Sequence, residues 1–179
     1  MSHKVTLMKA LGLAGLLAAS AASHAAGVLI SNPSFELPAC PAGCNGGIAT
    51  AGVSGWTVEG SAGVFAPGQY YWTASYGYLA TDGGQVAYAE IGRISQVLST
   101  SLAVDTVYTL SVDIGRRGDT AFPGYTVELL AGNSVLASGD YHLGVPDPNK
   151  FGTATLTYTA LQGDPSLGQA LGIRLSSVG

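Results

Sequence analysis

The sequence predicts an all-β fold, an antiparallel two-sheet sandwich or barrel. Three observations carry that expectation. Apolar and polar residues alternate over short stretches, the period of a half-buried strand. Clusters of Gly, Pro, Asn and Asp separate these stretches at intervals of roughly 8–15 residues. Beyond residue 25 no stretch keeps a helical period, so crossover helices are not expected.

The first 25 residues stand apart. "MSHKVTLMK" carries Lys4 and Lys9, "ALGLAGLLAASAA" is apolar but short for a bilayer span, and Ser23 and Ala25 put small residues before a cleavage point. That is the layout of a secretory signal peptide. Residues 1–25 are therefore expected to be a leader and 26–179 one exported domain, placed in the periplasm, at the cell surface or outside the cell. No later stretch is long and apolar enough for a membrane helix. Of seven Lys and Arg, two lie in the leader, and the rest are outweighed by eleven Asp and Glu. An acidic chain without a basic stripe offers no electrostatic footprint for nucleic acid.

Taken in order, "GVLIS" opens the domain and turns at Asn32-Pro33 in "NPSFE". "PACPAGCNGG" holds both cysteines, Cys40 and Cys44. In an exported chain they read as a local disulfide closing a Pro/Gly loop. A metal knot would need two further soft ligands, and His142 is the one histidine after the leader. "GWTVEG" and "AGVFAP" read as two short strands with a Gly-rich bend between them, with Trp56 in the core. "QVAYAE" and "GRISQVLS" follow as two more. "TVYTLSVDIG" sends Tyr108, Leu110, Val112 and Ile114 to one face and Thr109, Ser111 and Asp113 to the other. "GYTVELLAG" and "SVLASG" form a hairpin signal across "AGN". "TATLTYTA" points Ala154, Leu156 and Tyr158 inward; "QALGIRLSS" points Leu171, Ile173 and Leu175 in and Arg174 out. "RLSSVG" ends the chain just after a strand, so the expected sandwich has either a tolerated open edge or its last strand missing.

The candidate site residues cluster in two places. "GQYYWTASYGYLATDGGQ" crowds Tyr70, Tyr71, Trp72, Tyr76 and Tyr78 between glycines. Such rings cover the apolar faces of sugars while their polar ends stay hydrated, or they fill the end of a small β domain. "GRRGDT" places Arg117 and Asp119 in one turn, either a polar pocket for sugar hydroxyls or a charged connection. Catalysis finds little support. Asp82, Glu90, Asp113, Asp119 and Glu128 could pair as glycosidase carboxyls, but no motif joins any two. His142 in "DYHLGVPDP" has no visible triad partner, and no phosphate loop or cofactor fingerprint is present.

The order "NPSFE", "GWTVEGSAGVFAP", "DGGQVAYAEIGRISQVLST", "YTLSVDIGRRGDTAFPGYTVELLAG" and "LGIRLSSVG" resembles the exported jelly-roll domains of bacterial PEP-CTERM proteins, over residues 27 to 179. The resemblance implies a galactose-binding-like jelly roll, without the family's final Asp-Asn strand and sorting tail. It also implies a structural calcium ion near Glu36, whose final-strand Asp partner is absent here. Enzymatic activity is not implied. The expected function is a non-enzymatic exported module associating weakly with extracellular polysaccharide or the cell-envelope matrix. A structural or adhesion domain making protein contacts is the second expectation, and a glycan-active enzyme the third.

Overall fold

The computed structural model describes residues 6–11, 26–39, 48–66, 80–118 and 120–178. Tyr70, Tyr71, Trp72, Tyr76, Asp119, Cys40 and Cys44 lie outside the described residues, and with them the aromatic platform and the disulfide expected from the sequence.

The described strands are β1 (Thr6–Leu11), β2 (Ala26–Val28), β3 (Ile48–Ala51), β4 (Thr57–Phe65), β5 (Val86–Ser101), β6 (Thr106–Arg116), β7 (Tyr125–Ala131), β8 (Ser134–Asp140), β9 (Lys150–Ala160) and β10 (Ala170–Ser177). The only helical element among the described residues is a 3-10 turn, Tyr141–Leu143. Every strand pairing is antiparallel, in a four-stranded sheet ordered β2-β1-β6-β9 and a six-stranded sheet ordered β3-β4-β5-β10-β7-β8. The all-β antiparallel expectation holds.

Alternation builds the interior as the sequence proposes. On β6, Tyr108, Leu110 and Val112 are buried, and opposite them on β9 so are Ala154 and Leu156. The other sheet contributes Val64, Ile94, Leu98, Val127, Leu129, Leu171 and Ile173 to the same core. Trp56 is buried too, and its indole N–H donates to the Ser31 carbonyl at 3.0 Å. Gln96, a buried polar side chain, is fully used: Nε2 donates to Ser31 and Gly55 carbonyls, and Oε1 accepts from the Ser31 amide. These bonds fix the turn after β2 against the six-stranded sheet, as buried amides require.

Two expected strand breaks need correction. "GWTVEG" and "AGVFAP" are one strand, β4, and "QVAYAE" and "GRISQVLS" are one strand, β5. The glycines read as breaks instead let the two long strands cross closely at Gly60 and Gly92, beside a register shift between Ser61 and Ala62. A bulge bends a strand without ending it. Thr6–Leu11, inside the stretch read as a leader, pairs with β2 on one side and with Thr106–Ser111 on the other.

Candidate active site

A cavity of about 450 Å³ opens at one end of the two sheets. Its floor is Ile94, Val112 and Val127, where the packed core begins. Ile114, Ala87, Ala89 and Leu175 carry its walls toward the mouth. Ala87 and Ala89 are small residues on the wall, and Gly115 leaves room for the Phe151 ring, which a Cβ there would meet at 2.7 Å. Phe35, Phe65, Phe122, Tyr125 and Phe151 supply aromatic surface. Phe122 meets Tyr125 edge-on at 6.2 Å, and the Arg116 guanidinium lies 5.9 Å from the Phe122 ring. Tyr125 is anchored by its hydroxyl, which donates to the Gly144 carbonyl at 3.2 Å; burial, and to a lesser degree the charge of Asp140, push its pKa up. Volume and lining match a small-molecule site, typically ~300–1,000 Å³ and mostly apolar.

Three carboxylates belong to the wall: Asp82, Glu90 and Asp113. They are not equivalent. Glu90 is exposed and accepts from Ser61 Oγ at 3.3 Å. Asp113, on β6, has Oδ1 accepting from Thr153 Oγ1 at 2.7 Å and Oδ2 sealed from solvent. Asp82 is half-buried on the loop entering β5, with Oδ2 sealed from solvent.

The loop carrying Asp82 is clamped to the turn after β2. Glu36 Oε1 accepts from the amides of Gly84 and Gln85, each at 2.9 Å. Gln85 Nε2 donates to the carbonyls of Phe35 and Pro38, each at 3.0 Å. Gly83 has φ +76°, and a Cβ there would lie 2.1 Å from Glu36 Oε1, so only glycine fits. Glu36, the expected calcium ligand, thus spends one oxygen on backbone amides. No group of three His, Cys, Asp or Glu side chains among the described residues could hold a metal ion. Arg117, the other expected site residue within the described set, is half-buried on the cavity wall. Sequence reasoning weighed Asp82 only as half of a glycosidase pair, and missed Phe35 and Phe122 as site residues. No period or motif marks them; the space between the sheets does.

A largely apolar cavity with aromatic walls and a few carboxyls is the kind of space that takes a small molecule. The pattern of the HpiC1-like family, described as HpiC1 cyclase, matches residues 26–179, and the chain belongs to that family. Among solved structures it is similar to a Stig cyclase, Fisc, from Fischerella sp. TAU in complex with (3Z)-3-(1-methyl-2-pyrrolidinylidene)-3H-indole. Identity is 32%, coverage 84% of this chain and 88% of that chain, and the TM-score 0.70. It is also similar to a cyclase from Fischerella sp. TAU in complex with 4-(1H-indol-3-yl)butan-2-one, at 31% identity, 84% and 88% coverage and a TM-score of 0.68. An apo form cyclase from Fischerella sp. shares 31% identity over 84% of this chain and 87% of that one, with a TM-score of 0.69. No curated protein matches the chain.

These findings overturn four expectations. The chain is not a PEP-CTERM jelly-roll domain but a member of a cyclase family. The family is enzymatic, which replaces the non-enzymatic reading. Carbohydrate or envelope-matrix association and polysaccharide partners are withdrawn, since the similar cyclase structures hold indoles and not polysaccharide. The adhesion-domain alternative falls with them. The physical reason is plain: alternation reports which face of a strand is dry, and two folds with the same dry faces look alike until the interior volume is known.

Proposed function

We propose that this chain is a cyclase that draws an indole-bearing small molecule with an unsaturated side chain into the cavity and closes a ring within it. Asp82 is the proton donor. The observation that carries this reading is the Asp82 carboxyl, one oxygen sealed, on a clamped loop at a largely apolar, aromatic wall. Family membership and the indoles held by the similar structures support the substrate class.

Ring closure within one molecule needs its ends folded together and one carbon made electron-poor. The apolar walls do the folding, holding the reacting carbons in contact. Asp82 gives its proton to the unsaturated substrate, and a π pair from the other end of the same molecule forms the new carbon–carbon bond. Loss of a proton back to the Asp82 carboxylate leaves a product that is an isomer of the substrate. The faces of Phe35, Phe122 and Tyr125 favour the transient positive charge.

The test is incubation of the full chain with a 3-substituted indole carrying an alkene, read by chromatography for an isomer of unchanged mass. Asp82→Asn should lower turnover about 100-fold while still binding 4-(1H-indol-3-yl)butan-2-one. Full turnover in that variant assigns the proton to another group. Absence of both isomer and indole binding in the unaltered protein overturns the reading.

We also propose a jelly-roll arrangement for the two sheets, and export of the chain after removal of residues 1–25. The charged, apolar and small-residue layout of the leader supports export, and the family match begins at residue 26. Mass measurement of the protein recovered outside the cytoplasm tests it. Calcium at Glu36 belongs to the same reading: oxygen donors suit it, and the second carboxylate oxygen is the arm Glu36 would offer. A fall in unfolding temperature with chelator, reversed by Ca²⁺, tests that.

A further inference from the structure

Phe35 has φ +61°, a left-handed backbone that bulky residues rarely adopt. Strain of this kind persists only where the surroundings impose it, and it gathers at functional sites. Here the imposing groups are visible. The Phe35 amide donates to the Asn32 carbonyl at 3.2 Å. Asn32, itself at φ +47°, bridges the turn: its side chain donates to the Leu37 and Ser54 carbonyls and accepts from the Leu37 amide. Gln85 Nε2 holds the Phe35 carbonyl at 3.0 Å, and Glu36, the next residue, grips the amides of Gly84 and Gln85. Behind the ring stands Trp56, at 5.4 Å between centroids and tilted by 48°.

All these bonds aim one aromatic ring. Phe35 packs partly on the core and lines the cavity on the same side as Asp82. A helix or an ordinary turn would need none of this apparatus to cover the same apolar surface. We propose that Phe35 is a specificity-determining residue for the aromatic part of the substrate, and that Gln85 and Glu36 are positioning residues that hold its ring at the cavity mouth. The inference rests on the cyclase reading and deepens it. Because Gln85 and Glu36 tie the Phe35 turn to the loop bearing Asp82, ring and acid belong to one clamped unit.

Calorimetric titration of the full chain with 4-(1H-indol-3-yl)butan-2-one tests the proposal. Phe35→Leu should weaken binding about tenfold, the equivalent of ~1.4 kcal/mol for one lost ring contact. Phe35→Tyr, which keeps the ring, should restore it. Gln85→Leu should weaken binding by a similar factor, and the double variant should be no weaker than Phe35→Leu alone, because Gln85 acts through the ring. A merely structural role for Gln85 would instead give losses that add. Unaltered protein that binds the indole with Phe35→Leu binding it equally well overturns this inference and leaves the cyclase reading standing. Unaltered protein that binds no indole overturns both. If Phe35→Leu fails to fold, Phe35→Met takes its place: weakened indole binding upholds the ring's role, and unchanged binding overturns it.

Discussion

Gly60 and Gly92 are register partners on β4 and β5, each standing where a side chain would strike the other strand's backbone. A Cβ on Gly60 would lie 2.4 Å from the Ile91 carbonyl oxygen, and one on Gly92 would lie 2.5 Å from that of Glu59. Gly60 also has φ +72°. Close approach here turns four short strand signals into one long bent pair of strands that forms part of the cavity wall. Gly92→Ala should therefore destabilise the protein by about 2 kcal/mol, as overpacking does, measured by urea unfolding. An unchanged midpoint would mean that the crossing is looser than this.

Ala87→Leu fills space and touches no charge. Ala87 sits on the cavity wall, partly buried against the core. The added carbons have room, so unfolding temperature should hold or rise, while indole binding falls at least about tenfold through lost volume. Calorimetry with the same indole beside a melting curve separates the two effects.

Arg174 and Glu128 are register partners on β10 and β7, joined by a short ion pair with side chains 31% and 14% exposed. The hydrogen bond to Glu128 holds the Arg174 pKa up. Glu128→Ala alone should cost about 2 kcal/mol, midway between a surface and a buried pair, because it strands a half-buried cation. Replacing both residues with leucine should cost less than that single change. Chemical unfolding of the three variants checks the order.

Tyr158 donates its hydroxyl to Asp164 Oδ2 in a short bond, and the Ser166 amide donates to Oδ1 at 2.8 Å. The bond from Tyr158, then that from Ser166, lowers the Asp164 pKa; the bond to Asp164, then burial, raises that of Tyr158. A depressed carboxyl contributes stability above the usual aspartate range and loses it as pH falls through its folded value. A raised phenol contributes below the usual tyrosine range and loses it as pH rises through its folded value. The stability gap between the unaltered protein and Tyr158→Phe should thus be flat near neutrality and close at both extremes. Unfolding temperature against pH reads it.

The strand faces were open to reading from the sequence because burial follows a period of two. Leu110, Val112, Leu156, Leu171 and Ile173 lie where their spacing sets them, and Trp56 is in the core as expected. Arg174 was expected to point outward, yet its partner Glu128 lies on another strand, 46 residues away in the chain. Register decides such pairs, and no local pattern encodes it. The active site was less legible still. A cavity is made by what is absent, as at Ala87 and Ala89, and small residues also occur wherever a sheet is simply thin. Asp82 sits in "TDGGQ", which reads as a turn; only the clamp from Glu36 shows that the turn is held for a purpose.

Among the described residues, the inner end of the cavity is stopped by side chains with no room between them: Leu110, Leu129 and Ile173 are wholly enclosed behind Val112 and Val127. Behind these again, the Tyr108 hydroxyl accepts from the Ala103 amide at 2.9 Å. The core therefore closes this end of the space, and the depth to which a guest can sink between the sheets is set by the branched side chains of Val112 and Val127.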